Sequence, residues 1–573
     1  MRKLLRYLAD YKKECLLGPL FKMLEATFEL FVPLVVASMI DRGIGGGDKP
    51  YIVRCALLMA LLAAIGLTCT LFAQFFAAKA ATGFSAKLRR ALMEHIQHLR
   101  YADLDRLGTS TLITRMTSDI NQVQTGVNLT IRLLLRSPFI VVGAMIMAFT
   151  VDVKGALVFA VAIPLLMIVV FGIMLLSIPM FRNVQNKLDD VTEITRENLI
   201  GVRVIRAFRR ETAEADRFRE ENAALVTMQE RVGRLSALMN PLTYIIVNGA
   251  VIALIYIGAL RVHAGFLTQG AVIALYNYMS QILVELIKFA NFIITVTKAV
   301  ACGNRIQAVF DDAEPVAEDA ETIETGVRGE IIFDHVSFTY EGAGAPSLTD
   351  ISFTAKRGDV IGIIGGTGAG KTTLVSLIPR FYEPTAGSIT IDGVSSGEFP
   401  RQALRRRIGI VPQTAVLFHG SIRDNMKWGN ADASEADIET ALRTAQAWDV
   451  VQAKADGLDE QITEGGHNLS GGQRQRLTIA RALVRKPEFL ILDDSASALD
   501  FATDAALRRA LREIPEHPTV FIVSQRTASI QHADRILVLD DGHLAGSGTH
   551  GELLESCAVY RQIYDSQFAK EVQ

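Results

Sequence analysis

The sequence contains one stretch that decides the fold of its C-terminal half: VIGIIGGTGAGKTT, residues 360–373. The apolar residues Val360 to Ile364 predict a strand, and the glycine run from Gly365 to Gly370 follows at once, before Lys371 and Thr372 begin a helix. Glycine lets the chain turn tightly, so backbone N–H groups and the positive end of the helix dipole face the same point. The stretch therefore predicts a phosphate-binding loop (P-loop) between a strand and a helix.

The residues of this loop have the chemistry to bind a nucleoside triphosphate with Mg²⁺. Lys371 carries a positive charge for the β- and γ-phosphates, and Thr372 offers a hydroxyl oxygen to the metal. The predicted ATP-binding residues of the loop are Gly365, Gly366, Thr367, Gly368, Ala369, Gly370, Lys371, Thr372 and Thr373.

Further motifs surround the loop in a fixed order. They are Tyr340 about 25 residues before it, then Gln413, the run Leu469-Ser470-Gly471-Gly472-Gln473, the apolar strand Phe489 to Leu492 ending in Asp493, and Ser497-Ala498-Leu499-Asp500. Their order and spacing resemble the nucleotide-binding domain of ATP-binding-cassette (ABC) transporters. The resemblance implies that Asp493 and Gln413 join Thr372 at Mg²⁺, that Tyr340 stacks on adenine, and that Asp500 lies at the interface with a second cassette.

The Leu469–Gln473 run corresponds to the signature motif, which in this family contacts the ATP held by the partner cassette. Ser470 and the N–H groups of Gly471 and Gly472 precede a predicted helix, and a helix N-terminus attracts anions. The resemblance therefore implies that Ser470, Gly471, Gly472 and Gln473 complete a partner's ATP site.

Two positions depart from the family pattern, and both belong to the hydrolysis step. The family normally has Glu after the strand-ending Asp and His near the end of the next strand, whereas this chain has Asp494 and Gln525. Asp is one methylene shorter than Glu, and a general base must reach the attacking water. Glutamine can hydrogen-bond to a phosphate but cannot carry a positive charge. We expect a site that binds ATP well and turns it over slowly; the alternative is a tolerated variant with ordinary activity.

The N-terminal half has the composition of a membrane domain. Of the 573 residues 50% are hydrophobic, and the mean hydropathy is +0.27; both values are high for a soluble protein. The net charge of −2 and the scattered positions of the five cysteines favour neither a nucleic-acid partner nor a cysteine metal site or disulfide framework. Six apolar stretches of about 20 residues or more predict membrane-spanning helices. They lie at approximately 16–40, 51–78, 131–150, 156–180, 241–260 and 271–300.

Charge predicts the orientation of these spans. The two long polar segments, 82–126 and 182–238, carry seventeen Lys and Arg, whereas the three short connections carry four. The positive-inside rule therefore places the long segments and both termini on the cytoplasmic side of a bacterial-type cell (inner) membrane. The basic N-terminus has no cleavage site typical of a signal peptide and predicts a helix on the membrane surface.

Two stretches of the long segments, 108–114 and 204–211, resemble the coupling helices of the family. The resemblance implies that they lie across the cassette surfaces and transmit motion to the spans. Ordinary turns between helices are the alternative.

Polar residues in the first and sixth spans fall on single helix faces. Asn277, Gln281, Glu285 and Lys288 follow each other at steps of four, four and three, and Lys22, Glu25 and Glu29 do so in the first span. Because charge inside a membrane is costly, these faces predict a translocation path lined by Glu25, Glu29, Asn277, Gln281, Glu285 and Lys288. Acidic groups there favour cationic amphiphiles. Structural pairing of Glu285 with Lys288 is the alternative.

The predicted fold is multidomain. An α-helical six-span transmembrane domain with long cytoplasmic helical extensions covers 1–305, an acidic linker covers 306–328, and an α/β P-loop nucleotide-binding domain covers 329–573. Taken whole, the chain resembles the degenerate-site subunit of bacterial heterodimeric multidrug-type exporters.

This resemblance implies ATP and Mg²⁺ as ligands and a second half-transporter, with Glu and His at the catalytic positions, as partner. Two copies of this chain would form two impaired sites, so we expect a heterodimer that exports amphipathic small molecules or lipids. One alternative is an importer of metal chelates on the same fold. Another is a regulatory membrane protein in which ATP opens a pathway without pumping.

Overall fold

The computed structural model describes residues 1–311 and 329–568, which fall into two compact units. The first unit is the helical N-terminal part without His98–Gly108, and the second combines His98–Gly108 with the C-terminal α/β part. The sixth long helix continues to Asp311, six residues into the stretch predicted as linker. The rest of that stretch lies outside the described residues.

The N-terminal part is built from helices, preceded by a 3₁₀ segment over Arg2–Tyr11. All belong to the first unit except α3. The helices are α1 (Lys12–Ser38), α2 (Lys49–Gln97), α3 (Tyr101–Leu107), α4 (Thr109–Thr114), α5 (Ile120–Leu133), α6 (Arg136–Val151), α7 (Val153–Ile200), α8 (Val202–Ala207), α9 (Glu211–Ala237), α10 (Met239–His263) and α11 (Gln269–Asp311). π-Helical turns at Met39–Ile44 and Arg115–Asp119 extend α1 and join α4 to α5.

Six helical runs among the described residues are long and apolar enough to cross a membrane. They are Lys3–Ile44, Lys49–Gln97, Thr109–Val151, Val153–Ile200, Glu211–His263 and Gln269–Asp311. The six-span prediction is thereby confirmed. At 1.5 Å per residue the 48 residues of α7 measure about 70 Å, more than twice the roughly 30 Å of a bilayer core. The long helices therefore extend well beyond the apolar stretches.

Small residues allow these helices to approach closely. A Cβ atom on Gly126 of α5 would lie 2.2 Å from the Cβ of Ala299 on α11, and one on Gly18 of α1 would lie 2.7 Å from Ile131. Along α2, Ala73 and Ala77 are fully buried. Such small residues replace the bulky contacts of a soluble core, because membrane helices associate through close packing.

The second unit contains twelve strands among its described residues. They are β1 (Ile331–Phe338), β2 (Leu348–Ala355), β3 (Val360–Gly365), β4 (Ala386–Ile391), β5 (Val394–Ser395), β6 (Ile408–Val411), β7 (Gly420–Ser421), β8 (Gln461–Ile462), β9 (Phe489–Asp493), β10 (Thr519–Val523), β11 (Arg535–Asp540) and β12 (His543–Gly548). Its helices beyond α3 are α12 (Lys371–Leu377), α13 (Arg401–Arg407), α14 (Ile422–Lys427), α15 (Glu435–Thr444), α16 (Trp448–Gln452), α17 (Gly471–Val484), α18 (Phe501–Arg512), α19 (Thr527–Ile530), α20 (His550–Ser556) and α21 (Ala558–Phe568).

The main sheet has six strands in the order β12-β11-β3-β10-β9-β6 and is parallel except for β12. A second sheet, β2-β1-β4-β5, is antiparallel. In the main sheet Val523 pairs with Asp493, so the carboxyl ends of β9 and β10 meet at the edge where β3 runs into the glycine loop. Ligands of open α/β sheets bind at this edge. The α/β P-loop fold is confirmed.

Candidate ATP site and cassette contacts

The glycine loop leaves β3 at Gly365 and enters α12 at Lys371. Gly368 and Gly370 have left-handed backbones, with φ of 84° and 92°. A Cβ atom on Gly370 would lie 2.6 Å from the carbonyl oxygen of Ser347, so the turn has no room for a side chain. The sequence therefore folds here into the tight cradle that the glycine spacing predicts.

The ammonium of Lys371 is folded over this loop. Its Nζ donates hydrogen bonds to the carbonyl oxygens of Gly365 at 2.9 Å and Gly366 at 2.6 Å. Burial lowers the pKa of Lys371, and the nearby charges of Asp494 and Asp493 act in the opposite direction. An anion bound in the cradle would balance the positive charge of Lys371, and a phosphate group is such an anion.

Thr372 and Asp493 form the metal-binding part of the site. The Thr372 hydroxyl donates to Oδ1 of Asp493 at 3.1 Å, and Asp493 is 5% exposed. Burial and the charge of Asp494 raise the pKa of Asp493. These hard oxygens fit Mg²⁺, so Thr372 and Asp493 would hold the ion, which would supply positive charge to the phosphates. Among the described residues no group of three His, Cys, Asp or Glu forms a metal site by itself.

Asp494 follows Asp493 directly and has its backbone fixed. It has a left-handed φ of 46°, and its amide donates to the carbonyl of Val523 at 3.0 Å. Its own carbonyl accepts from the Ser497 hydroxyl at 2.8 Å. Gln413 reaches the Asp494 carboxylate with Nε2 at 3.4 Å, so the predicted Gln413 does lie beside the loop's acidic residues.

Gln525 is exposed and begins the turn after β10. Its carbonyl accepts a hydrogen bond from Gln567 at 2.7 Å. Within the described part of the chain its side chain makes no hydrogen bond to the P-loop. The next residue, Arg526, was not singled out by the sequence, yet its guanidinium donates to the carbonyls of Leu499 at 3.3 Å and Ser497 at 3.2 Å.

Tyr340 lies beside the first helix after the loop. Its hydroxyl is 3.0 Å from Oγ1 of Thr373, and its ring packs edge-on against Phe338 and Tyr382 with centroid distances of 4.7 and 5.2 Å. The structure therefore brings Tyr340 to the P-loop, where an adenine could stack on it.

The signature residues begin α17. Ser470 caps the helix: its hydroxyl accepts from the Gln473 amide at 3.3 Å, and its own amide donates to the Gln473 side chain at 2.9 Å. Ser470 and Gly471 are exposed, and a Cβ atom on Gly471 would meet no heavy atom within 4 Å. This helix end is therefore open to an anion.

Asp500 caps α18 in a similar way. Its carboxylate accepts from the Thr503 amide at 2.8 Å and hydroxyl at 2.9 Å. These hydrogen bonds, the amide first, lower the pKa of Asp500. The predicted interface residue is exposed and stays ionised.

Helix α3 belongs to the N-terminal half of the sequence but packs within the second unit. Tyr101 stacks on Phe381 with centroids 4.2 Å apart, Asp105 accepts from the Tyr382 hydroxyl at 2.5 Å, and Arg405 lies 5.9 Å from the Tyr101 ring. The coupling helix predicted at 108–114 includes Gly108, the last residue of this segment, and α4, which belongs to the first unit; it stays a prediction. The sequence signal for this contact is the aromatic pair Phe381 and Tyr382, which follows α12. The second predicted segment, 204–211, contains most of α8, which has no buried residue.

The predicted polar faces of the first and sixth spans meet at an unpredicted residue, Arg136. Its guanidinium contacts Glu285 at 2.6 Å and Glu29 at 2.9 Å. The pairing of Glu285 with Lys288 is present at 2.9 Å. Arg136 lies inside the predicted third span, so the rule that finds charges in spans would have found it.

Of the other three residues of the predicted path, Glu25 lies 3.8 Å from Arg136, and Asn277 and Gln281 make no ion pair or hydrogen bond to it among the described residues. Asn277 is half-buried, and Gln281 has a buried Oε1 without a hydrogen-bond partner among the described residues.

Comparison with known proteins agrees with this architecture. Residues 15–286 match the family model of the ABC transporter transmembrane region, and residues 348–497 match the ABC transporter model. The Bacillus subtilis protein YfiB, an uncharacterized ABC transporter ATP-binding protein, is 36% identical over 571 residues, covering 100% of this chain and 99% of YfiB. YheI of the same species, a probable multidrug resistance ABC transporter ATP-binding/permease protein, is 34% identical over 489 residues, covering 84% of this chain and 82% of YheI.

A solved structure of a bacterial Atm1-family ABC exporter with ATP bound superposes with a TM-score of 0.82. The superposition covers 99% of this chain and 100% of the exporter chain, at 24% sequence identity. The two proteins therefore share a fold. The chain belongs to the ABC transporter family. It is a multi-pass membrane protein and a half-transporter with the exporter fold, carrying one membrane domain and one ATP-binding domain.

Proposed function

We propose that this chain is one subunit of a heterodimeric ATP-driven exporter. It holds a low-turnover ATP site of its own and completes the partner's active site with its signature motif. The family and the exporter fold support ATP-driven transport, and the intact loop, Thr372 and Asp493 support binding of ATP with Mg²⁺. The two degenerate positions carry the rest of the proposal.

The observation that carries it is the fixed backbone of Asp494. A shorter side chain could still serve as general base if the main chain moved toward the nucleotide. The hydrogen bonds to Val523 and from Ser497 oppose that movement. Misplacing a catalytic group by about 1 Å can cost on the order of a hundredfold in rate. Gln525 adds no positive charge, so hydrolysis in this chain's own site is slow.

The signature supports the second half of the proposal. Ser470 and Gly471 are exposed at an open helix N-terminus and are free to cap the γ-phosphate in a partner's P-loop. A partner with Glu and His at the two catalytic positions would then own the active site. Because both sites of a homodimer would be slow, a heterodimer is the assembly that gives rapid transport.

The substrate class in this proposal is an amphipathic small molecule or a lipid, moved out of a bacterial-type cell membrane. The printed name of YheI, a probable multidrug resistance transporter, supports it. Both termini and the two long polar segments face the cytoplasm, as the excess of Lys and Arg in those segments favours.

Transport into sealed vesicles tests the proposal. The chain is co-expressed with a half-transporter that carries Glu and His at the two catalytic positions. Inside-out vesicles, whose cassettes face the outer medium, receive MgATP and a fluorescent amphiphile from outside, and a second batch is preloaded with the amphiphile before MgATP is added outside. We expect ATP-dependent accumulation that stops when ATP is replaced by a non-hydrolysable analogue. ATP-dependent release would instead identify an importer, and flow only down the gradient would identify an ATP-gated pathway. A fully active complex formed by this chain alone would overturn the heterodimer.

A further inference from the structure

A chain of ion pairs joins α1, α6 and α11 in the first unit. Arg136 is at its centre and binds Glu285 of α11 and Glu29 of α1 through different nitrogens, at 2.6 and 2.9 Å. Lys288 extends the chain on α11, with Nζ 2.9 Å from Glu285. The Ser137 hydroxyl donates a hydrogen bond of 2.9 Å to the other carboxylate oxygen of Glu285. On α1 the pair Lys22 and Glu25, 2.5 Å apart, lies alongside, with Glu25 3.8 Å from Arg136.

The inner members of this network serve to balance each other. The side chains of Glu285 and Arg136 are 4% and 8% exposed, and burying either charge without the other would cost several kcal/mol. They have fixed partners and are not available to a ligand. The two ends differ, because the side chains of Glu29 and Lys288 are 40% and 46% exposed.

Around Lys288, α11 exposes one polar and one apolar side chain, Asn291 and Val284. Lys288 is followed one turn later by Asn291, which is also exposed. A lysine at this depth would be strongly unfavourable in contact with lipid chains, so this face of α11 fits a water-filled cavity.

The charges of the network cancel. Three carboxylates (Glu25, Glu29, Glu285) face three cations (Lys22, Arg136, Lys288). A ligand with only a positive charge is attracted by Glu29 but repelled by the cations of the network. A ligand with only a negative charge is attracted by Lys288 but repelled by the carboxylates. A headgroup that carries both charges gains at both ends.

We propose that Glu29 and Lys288, joined through Arg136 and Glu285, bind the headgroup of a zwitterionic amphiphile, with its ammonium on Glu29 and its phosphate or carboxylate on Lys288. The inference rests on the proposed export function for its physiological meaning, but the binding itself needs no ATP. It replaces the preference for cationic amphiphiles that the acidic residues alone predict. The source of the headgroup is either a membrane phospholipid or a zwitterionic molecule that enters from the cell.

Equilibrium binding to the full-length chain in its native assembly tests the proposal. The protein is placed in nanodiscs of phosphatidylglycerol without nucleotide, and three probes with the same dodecyl tail are compared: dodecylphosphocholine, dodecyltrimethylammonium and dodecyl sulfate. We expect the phosphocholine to bind about tenfold tighter than either singly charged probe, as one further contact between opposite charges in a partly exposed site gives. Equal or tighter binding of the ammonium probe, or no binding of any probe, would overturn the proposal.

Two variants assign the ends. K288Q should remove the advantage of the phosphocholine over the ammonium probe, and E29Q should remove its advantage over the sulfate. The matched control is K298Q, an exposed lysine on the same helix that has no ion pair among the described residues. A preference that survives both variants, or one that K298Q changes equally, contradicts the assignment. The thermal unfolding temperature of each variant shows whether the network still folds.

Nanodiscs that also contain phosphatidylethanolamine distinguish the two sources. If this lipid competes with dodecylphosphocholine, the site takes a membrane phospholipid. If it does not compete, the site takes a zwitterionic molecule from solution. Either result supports the headgroup site. A complex that binds as expected but fails to accumulate amphiphile in vesicles would reject the export function and leave the site standing.

Discussion

The amide of Asp494 donates a hydrogen bond to the main-chain carbonyl of Val523 at 3.0 Å. This contact ties the residue after β9 to the end of β10, the strand that leads to Gln525. The two positions that depart from the family pattern, Asp494 and Gln525, are therefore connected through one short piece of backbone. The main-chain carbonyl of Asp494 also accepts a hydrogen bond from the Ser497 hydroxyl at 2.8 Å, so two contacts hold its backbone.

Replacement of the Ser470 helix cap should lower ATP turnover of the complex more than replacement of another helix cap does. The variant S470D keeps a good helix cap but brings a negative charge to the place where a partner's γ-phosphate is expected. We expect ATP turnover of the assembled complex to fall by about tenfold or more. S434D is the matched control, since Ser434 caps α15 with the same type of capping box. Unchanged turnover in S470D would mean that this signature serves no active site.

The aromatic ring of Tyr340 should contribute to ATP affinity, and its hydroxyl should not. Stacking of an aromatic ring on a base is worth about 1–3 kcal/mol, so Y340A should weaken ATP binding by roughly five- to 150-fold. Y340F keeps the ring and loses only the contact with Thr373, 3.0 Å away. Titration with a fluorescent ATP analogue measures both. Equal losses in the two variants would assign Tyr340 to packing of α12.

Asp493 should oppose folding when no metal is present. Its raised pKa means that folding disfavours the ionised carboxylate, so D493N should raise the unfolding temperature of the nucleotide-free protein at pH 7. The gain should shrink as the pH falls through the folded-state pKa of Asp493, because the wild-type carboxyl then takes up a proton.

Two comparisons control this measurement. Added MgATP should stabilise the wild type but not D493N. D500N should give no gain, since the pKa of Asp500 is lowered by its hydrogen bonds from Thr503. A D493N protein that is less stable without nucleotide would contradict the expected sign.

Replacement of Tyr101 should separate ATP turnover from transport. Y101A removes the stack on Phe381, a contact that belongs to α3 in the second unit. We expect ATP turnover to remain within about threefold of wild type while transport per ATP falls by about tenfold. The comparison variant is I113A in α4, the segment that the sequence predicted for coupling, where Ile113 is 58% exposed. A larger transport defect in I113A would identify α4, and not α3, as the coupling helix.

The sequence was sufficient where the chemistry is local. A glycine loop between a strand and a helix has few alternatives, so the sequence alone predicts the positions of Lys371, Thr372 and the strand-ending Asp493. Tyr340 followed from its distance along the chain to that loop. The same holds for the six spans, because apolar length is nearly a sufficient criterion for a membrane helix.

The sequence was insufficient where distant segments meet. The contact of α3 with Phe381 joins residues 280 positions apart, and nothing in the local pattern distinguishes α3 from α4. Arg136 differs, because its position inside a span marks it as a functional candidate but its partners lie on other helices. Its role depends on two acidic residues, Glu29 and Glu285, that are more than 100 positions away on either side.

The most direct test of the account is ATP turnover of the assembled complex carrying D494E and Q525H together in this chain. The change restores a general base of full length and a residue that can bear positive charge, so we expect turnover to rise, toward a doubling if the partner's site is unaffected. D350E is the matched control, because Asp350 is an exposed aspartate with a similarly left-handed φ of 54°. Turnover that is unchanged in the double variant, with ATP binding intact, would contradict the claim that this chain's own site is impaired.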